Sequence, residues 1–226
     1  MHNVRVTGRL HSGPAAAVLV SAVLALAGCS GSGSSAPSGN PGTSSPTSSV
    51  QSQPSSSTPV PNGITLTPEG SELRLGHAAT VAWRPDQKIV GVIKMAVTRQ
   101  QQVPISAFRD FRLDRATRRS TPYFVHVKVT NVGHSDLSHM AVPLYLLNHD
   151  HTLLQASTFQ AQFPPCPSRP LPARFHHGKR TSVCLVYFVP KHGKLVAMSF
   201  RPSQDYDAIT WHGPVEQPSK KHPKQH

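Results

Sequence analysis

The 226-residue chain is short of acid, of cysteine and of long apolar runs. Ten Asp and Glu stand against 23 Lys and Arg, giving a formal charge of +13 at pH 7. Acids this sparse offer little to a glycosidase-type carboxylate pair; the closest in sequence, Asp205 and Asp207, flank Tyr206. The three cysteines form no C-x-x-C, so the spacing of a structural zinc site is missing. No G-x-S-x-G, Walker-type loop or G-x-G-x-x-G is present, and no activated nucleophile stands out. The expectation is a chain that is not an enzyme, with no catalytic residue and no cofactor. The longest apolar run, Ala15–Ala27, is 13 residues interrupted only by Ser21. A permanent membrane helix needs about 20.

What is present around that run is informative. The first fourteen residues carry Arg5 and Arg9 and no acid, as the cationic start of an export signal does. The run closes on Leu26-Ala27-Gly28-Cys29. This tetrad resembles the lipobox of bacterial lipoproteins. The resemblance implies that the Cys29 sulfur takes a diacylglycerol, that the chain is cut before it, and that fatty chains such as palmitate hold the protein in a membrane. Plain cleavage after Ala27 is the alternative, since Ala25-Leu26-Ala27 also fits a small-x-small exit. On the lipoprotein reading, residues 1–28 are a signal peptide and 29–63 an anchored linker. Ser30 to Gly63 is Ser, Pro, Gly and Thr with no charged residue, which cannot bury enough surface to offset its ordering entropy.

Export also decides the cysteines and the charge. With Cys29 acylated, Cys166 and Cys184 remain as one pair, and an oxidising compartment favours a disulfide between them. Two buried thiols are the alternative. Loss of Arg5 and Arg9 leaves 21 basic against 10 acidic residues, a charge of +11. Inside a cell that bias would suggest nucleic acid. Outside, the available polyanions are anionic lipids and acidic wall polymers, so no nucleic-acid partner is expected. A plain solvated basic surface is the competing reading, and no protein partner is indicated.

Residues 64–213 make one domain, and 214–226 a basic disordered tail. The period of the domain is two. Ile93, Met95 and Val97 alternate with Lys94, Ala96 and Thr98; Tyr123, Val125, Val127 and Val129 alternate with His126, Lys128 and Thr130. Such alternation predicts strands with one buried face. Asn131-Val132-Gly133 suits a following turn, with a residue at positive φ. Met140–Leu147 is a strand candidate marked for an edge or bulge by Pro143. Thr181–Val189, apolar almost throughout, reads as a central strand covered on both faces. Leu195–Phe200, Tyr206–Trp211 and the segments around Leu73–Leu75 and Thr80–Trp83 bring the count to about eight. Phe108–Arg119, with Arg109, Arg112, Arg115 and Arg118 at every third position, fits either a helical turn or an extended run.

The fold class expected is all-β, a β-sandwich. The stretch Tyr123–Gly133 resembles the central strand and turn of immunoglobulin-like domains of secreted bacterial lipoproteins, actinobacterial ones especially. Gly178, Cys184–Pro190 and Leu195–Phe200 are similar to the closing strands of that group. The resemblance spans about residues 64–213 and implies an immunoglobulin-like sandwich, with no assigned activity. The Pro/Cys-rich loop at 163–175 and the histidines depart from it. Fourteen histidines include His149-Asp150-His151, His176-His177, and His134 and His139 near the turn. Exposed polar loops account for them, and no metal ligand is assigned. The functional expectation is a membrane-anchored extracytoplasmic lipoprotein whose sandwich binds or contacts the envelope. Zinc or copper binding through His149, His151 and neighbours is the alternative.

Overall fold

The alternating segments become strands, and the structure, a computed structural model, describes them within residues 60–86 and 88–218. The expected signal peptide, Cys29 and the linker as far as residue 59 lie outside the described residues. In chain order the strands are β1 (Glu72–Arg74), β2 (Ala78–Trp83), β3 (Gly91–Gln102), β4 (Thr121–Asn131), β5 (Tyr145–Asn148), β6 (Leu153–Leu154), β7 (Arg180–Val189), β8 (Leu195–Phe200), β9 (Ile209–His212) and β10 (Val215–Glu216). One sheet runs β1-β9-β8-β5-β6, and the other β10-β3-β4-β7 with β2 also paired to β3. The two pack as a β-sandwich with almost no helix, as the sequence leads one to expect.

Their inner faces make the main core. Ile93, Met95, Val97, Tyr123, Val125, Val127 and Val129 meet Leu146, Met198, Phe200, Ile209 and Trp211. Three polar aromatics pin the layers while satisfying their own polar atoms. The Tyr187 hydroxyl donates to Leu144 O at 2.8 Å, Trp211 Nε1 donates to His77 O at 2.9 Å, and Tyr123 Oη accepts from Leu195 N at 3.3 Å. Burial raises the Tyr187 and Tyr123 phenols above their usual pKa. Gly76, at φ 87°, turns the chain from β1 in one sheet to β2 in the other, a conformation L side chains rarely adopt.

Several expectations need correction. Thr181–Val189 is not a central strand: β7 is the outer strand of its sheet. It is apolar on both faces because a second apolar cluster covers its outer side. Phe108, Leu113, Phe124, Phe163, Cys166 and Val186 form that cluster, with Phe111, Phe159 and Phe188 packed on it. Six of the chain's eight phenylalanines therefore belong to this outer cluster rather than to the core between the sheets. Met140–Leu147 yields a strand only from Tyr145, after Pro143 has removed a donor. The Phe108–Arg119 stretch divides: a 3₁₀ turn over Ile105–Phe108 inserts Phe108, and a one-turn helix α1 (Arg115–Arg118) follows. Asp114 caps that turn, accepting from Thr117 N at 2.7 Å, which holds its carboxyl below the usual range. Asp205 and Asp207 occupy the turn before β9 rather than a strand. The tail does not begin at 214, because β10 pairs parallel with β3 at Gln100–Gln101. Nor does Gly133 take a positive φ; it is small because a Cβ there would lie 3.0 Å from Val92 Cβ.

A break in the pairing of β3 with β4, between Val97 and Arg99, sets the placement that matters most for the surface. The extra residue, Thr98, reverses the alternation. Arg99 then pairs with His126 on the outer face and Gln100 with Val125 on the inner face. Gln100 is 1 % exposed, and its side-chain amide has no protein partner. An unsatisfied buried amide costs about 1–3 kcal/mol. Gln100→Met, similar in length and without the polar atoms, is expected to raise unfolding stability by about 1 kcal/mol in urea titration.

Candidate functional site

Strand β7 should expose a row of unpaired backbone groups, and the segment between β6 and β7 caps that row at Cys184 and Val186. Ser157 N donates to Val186 O at 2.7 Å, Ser168 N to Cys184 O at 3.0 Å, and Val186 N to Ser168 Oγ at 2.9 Å. Ser168 reaches this position with φ 47° and is 3 % exposed. The Cys166–Cys184 disulfide fastens the same loop to the same strand, with Cα atoms 5.1 Å apart. Two of the three sequence-assigned cysteines are thus brought together as expected. The bond does not join the two sheets; it ties loop to strand on the outer face.

Beside it lies an open pocket of about 320 Å³, lined by His126, Ser182, Cys184, Pro165, Pro167 and Arg169 among others. The outer face presents a row across three strands, Arg99, His126 and Cys184, set by the register of β3, β4 and β7. His126 Nε2 is 3.8 Å from Cys184 Sγ. Arg99 makes a two-pronged ion pair with Glu216 of β10, through Nε and Nη2. Hydrogen bonding within that pair raises the Arg99 pKa and lowers that of Glu216. Burial, helped by the Arg99 charge and opposed by Glu216, holds His126 below the usual imidazole pKa. The pocket thus joins a half-buried imidazole held below its usual pKa, a disulfide and the Arg169 guanidinium, with Arg99 beside His126 on the neighbouring strand.

The histidines named from the sequence divide between two places. His134, His176 and His177 gather where β4 ends, although they lie some 43 positions apart in sequence. The His134 and His177 rings stack at 5.4 Å, His177 Nδ1 donates to Gly133 O at 3.0 Å, and His176 Nδ1 stands 3.5 Å from Asp136 Oδ1. Asn131, fully buried, organises this end by donating to Ser135 O and Phe175 O, each at 2.8 Å. His149 lies elsewhere, in the β5–β6 turn, with both ring nitrogens engaged. Lys194 N donates to its Nδ1 at 3.3 Å, and its Nε2 faces Asp150 Oδ1 at 3.2 Å. Among the described residues no three His, Cys, Asp or Glu side chains are grouped as a metal-ligand set.

Comparison with known proteins adds only a fold likeness. No protein-family model and no curated protein matches the chain. A secreted protein from Mycobacterium tuberculosis, MPT63, solved as a crystal structure, aligns with 65% of this chain and 100% of its own. Its identity is 12% and its TM-score 0.45, a level that says nothing about activity or ligand.

The pocket row escaped sequence reasoning. His126 was legible as an outward residue of its strand, but its neighbours Arg99 and Glu216 depend on the bulge and on β10.

Two outcomes follow from this geometry. Replacing both bridged cysteines with serine is expected to cost about 3 kcal/mol, since it frees an 18-residue closed loop. For a domain this size that lowers Tm by on the order of 10 °C in calorimetry. The depressed His126 pKa means the unfolded chain takes up this proton first as pH falls. Its contribution is therefore complete above the ordinary histidine range and declines as pH drops through about 6.5. The fall in Tm between pH 7.5 and 5.5 is expected to be smaller in His126→Asn than in the parent chain.

Proposed function

We propose that the chain is an extracytoplasmic lipoprotein, attached through an acylated Cys29 to the outer side of a cell membrane. It displays an immunoglobulin-like β-sandwich that binds envelope components and carries out no reaction. One observation supports this above the others: Cys166 and Cys184 are bonded to each other. The sequence holds three cysteines, so Cys29 has no intrachain partner left, and a disulfide suits an oxidising compartment. An unpaired thiol directly after Leu26-Ala27-Gly28 is what lipid transfer requires.

The test is chemical. Mass spectrometry of the mature N-terminus is expected to find Cys29 as the first residue, carrying diacylglycerol and fatty acyl mass. Cys29→Ala is expected to move the protein from the membrane fraction to the medium, or to leave it unprocessed. An unmodified chain starting at Gly28, or full-length protein in the cytosol with Cys166 and Cys184 reduced, overturns the proposal.

A further inference from the structure

The outer face of the β10-β3-β4-β7 sheet has two unlike halves. Towards one end Phe124, Val186 and Phe188 lie beneath the phenylalanine cluster. Towards the other, Lys94, Lys128, Arg180 and Ser182 are exposed, and Pro165, Pro167 and Arg169 of the pocket border the face at Ser182. Register places Lys94 beside Thr130, and Thr130 beside Arg180, in one row across three strands. The next row is Ala96, Lys128 and Ser182. Lys128 therefore sits diagonally between the other two cations, about 7–8 Å from each along the sheet. Lys94 and Arg180, two strands apart, are separated by about 9–10 Å.

All three cations are exposed, and none has an ion-pair partner among the described residues. The only acid in any strand of this sheet is Glu216, and it is committed to Arg99. Hydroxyls lie among the cations: Thr130 stands between Lys94 and Arg180 in the first row, and Ser182 beside Lys128 in the second, with the buried Ala96 on the other side of Lys128. This surface lacks an aromatic platform for bases, and it lacks the exposed apolar anchors that seat a protein in a bilayer. The one large apolar side chain exposed among the described residues, Val196 at 48%, belongs to β8 in the other sheet.

We propose that this half-face is a docking surface for a linear acidic polysaccharide. Lys94, Lys128 and Arg180 contact successive carboxylates, and Thr130 and Ser182 hydrogen-bond sugar hydroxyls between them. Charge complementarity carries the recognition: three unpaired cations on a rigid lattice, facing a polymer whose anions recur along a flexible chain. The choice of polysaccharide over nucleic acid rests on the extracytoplasmic reading above; the cation lattice does not.

The test uses the full chain purified in neutral detergent, with polygalacturonate as the probe and calorimetry at 50 and 150 mM salt. Lys94→Gln, Lys128→Gln and Arg180→Gln together are expected to weaken binding about ten-fold or more. A control triple, Arg74→Gln, Lys191→Gln and Lys194→Gln, removes the same charge elsewhere and is expected to change it less than three-fold. Unchanged Tm in both triples shows that each still folds. Equal losses in the two triples, or no binding of polygalacturonate by the parent chain, overturn the proposal. So does tight binding to phosphatidylglycerol vesicles with none to the polymer, which would make the face a membrane contact. Because binding is measured on purified protein, a failure here leaves the mass of the mature N-terminus, and with it the anchor, to be judged separately.

Discussion

The free edge of β7 is the place on which the remainder of the architecture leans. An outer strand of ten residues would present bare amides and carbonyls to any passing chain, the hazard that sheet proteins have to suppress. Here the loop that follows Leu154 folds back, and Ser157 and Ser168 bond the free backbone edge of β7 at Cys184 and Val186. The Cys166–Cys184 bond holds that loop in register. The same loop delivers Phe159 and Phe163 to the aromatic cluster, where Phe108 stacks against Phe163 with centroids 4.8 Å apart. One covalent link thus holds in place a loop that caps the middle of an edge, covers an apolar face and shapes one wall of the pocket beside His126.

A second constraint, the irregularity at Thr98, divides that outer face chemically. Unbroken alternation would turn Arg99 towards the core and Gln100 outward. The inserted residue instead brings Arg99 beside His126 and within reach of Glu216. The core receives an amide without a partner in exchange, so the arrangement of the surface is obtained against the interest of the interior. Such a conflict between local packing and surface placement is what a functional face looks like in physical terms.

Much of the sandwich was legible because two-residue periodicity is a local property. The inward sets at Ile93–Val97 and Tyr123–Val129 and the limits of Leu195–Phe200 could be read directly. The position of β7 could not. A strand covered on both faces produces the same apolar run whether it lies in the middle of a sheet or at its rim under a loop, and only pairing tells the two apart. The phenylalanine cluster was hidden for a related reason: its members come from four separate segments and share no period. The cysteine pairing was readable by counting, since an odd thiol at position 29 left one combination. His134 and His177 became neighbours through the turn organised by Asn131, whose side-chain bonds to Ser135 and Phe175 no spacing rule encodes.

The pairing of β1 with β9 and of β10 with β3 joins the first and last strands to opposite sheets. Glu72 waits for Thr210, and Gln101 for Glu216, so each layer is finished by residues near the end of the polypeptide. A topology dominated by contacts this distant in sequence closes its loops late and folds slowly. During synthesis the domain can complete neither layer until β9 and β10 have emerged. The two layers are therefore finished together, by β9 and β10, rather than one after the other along the growing chain.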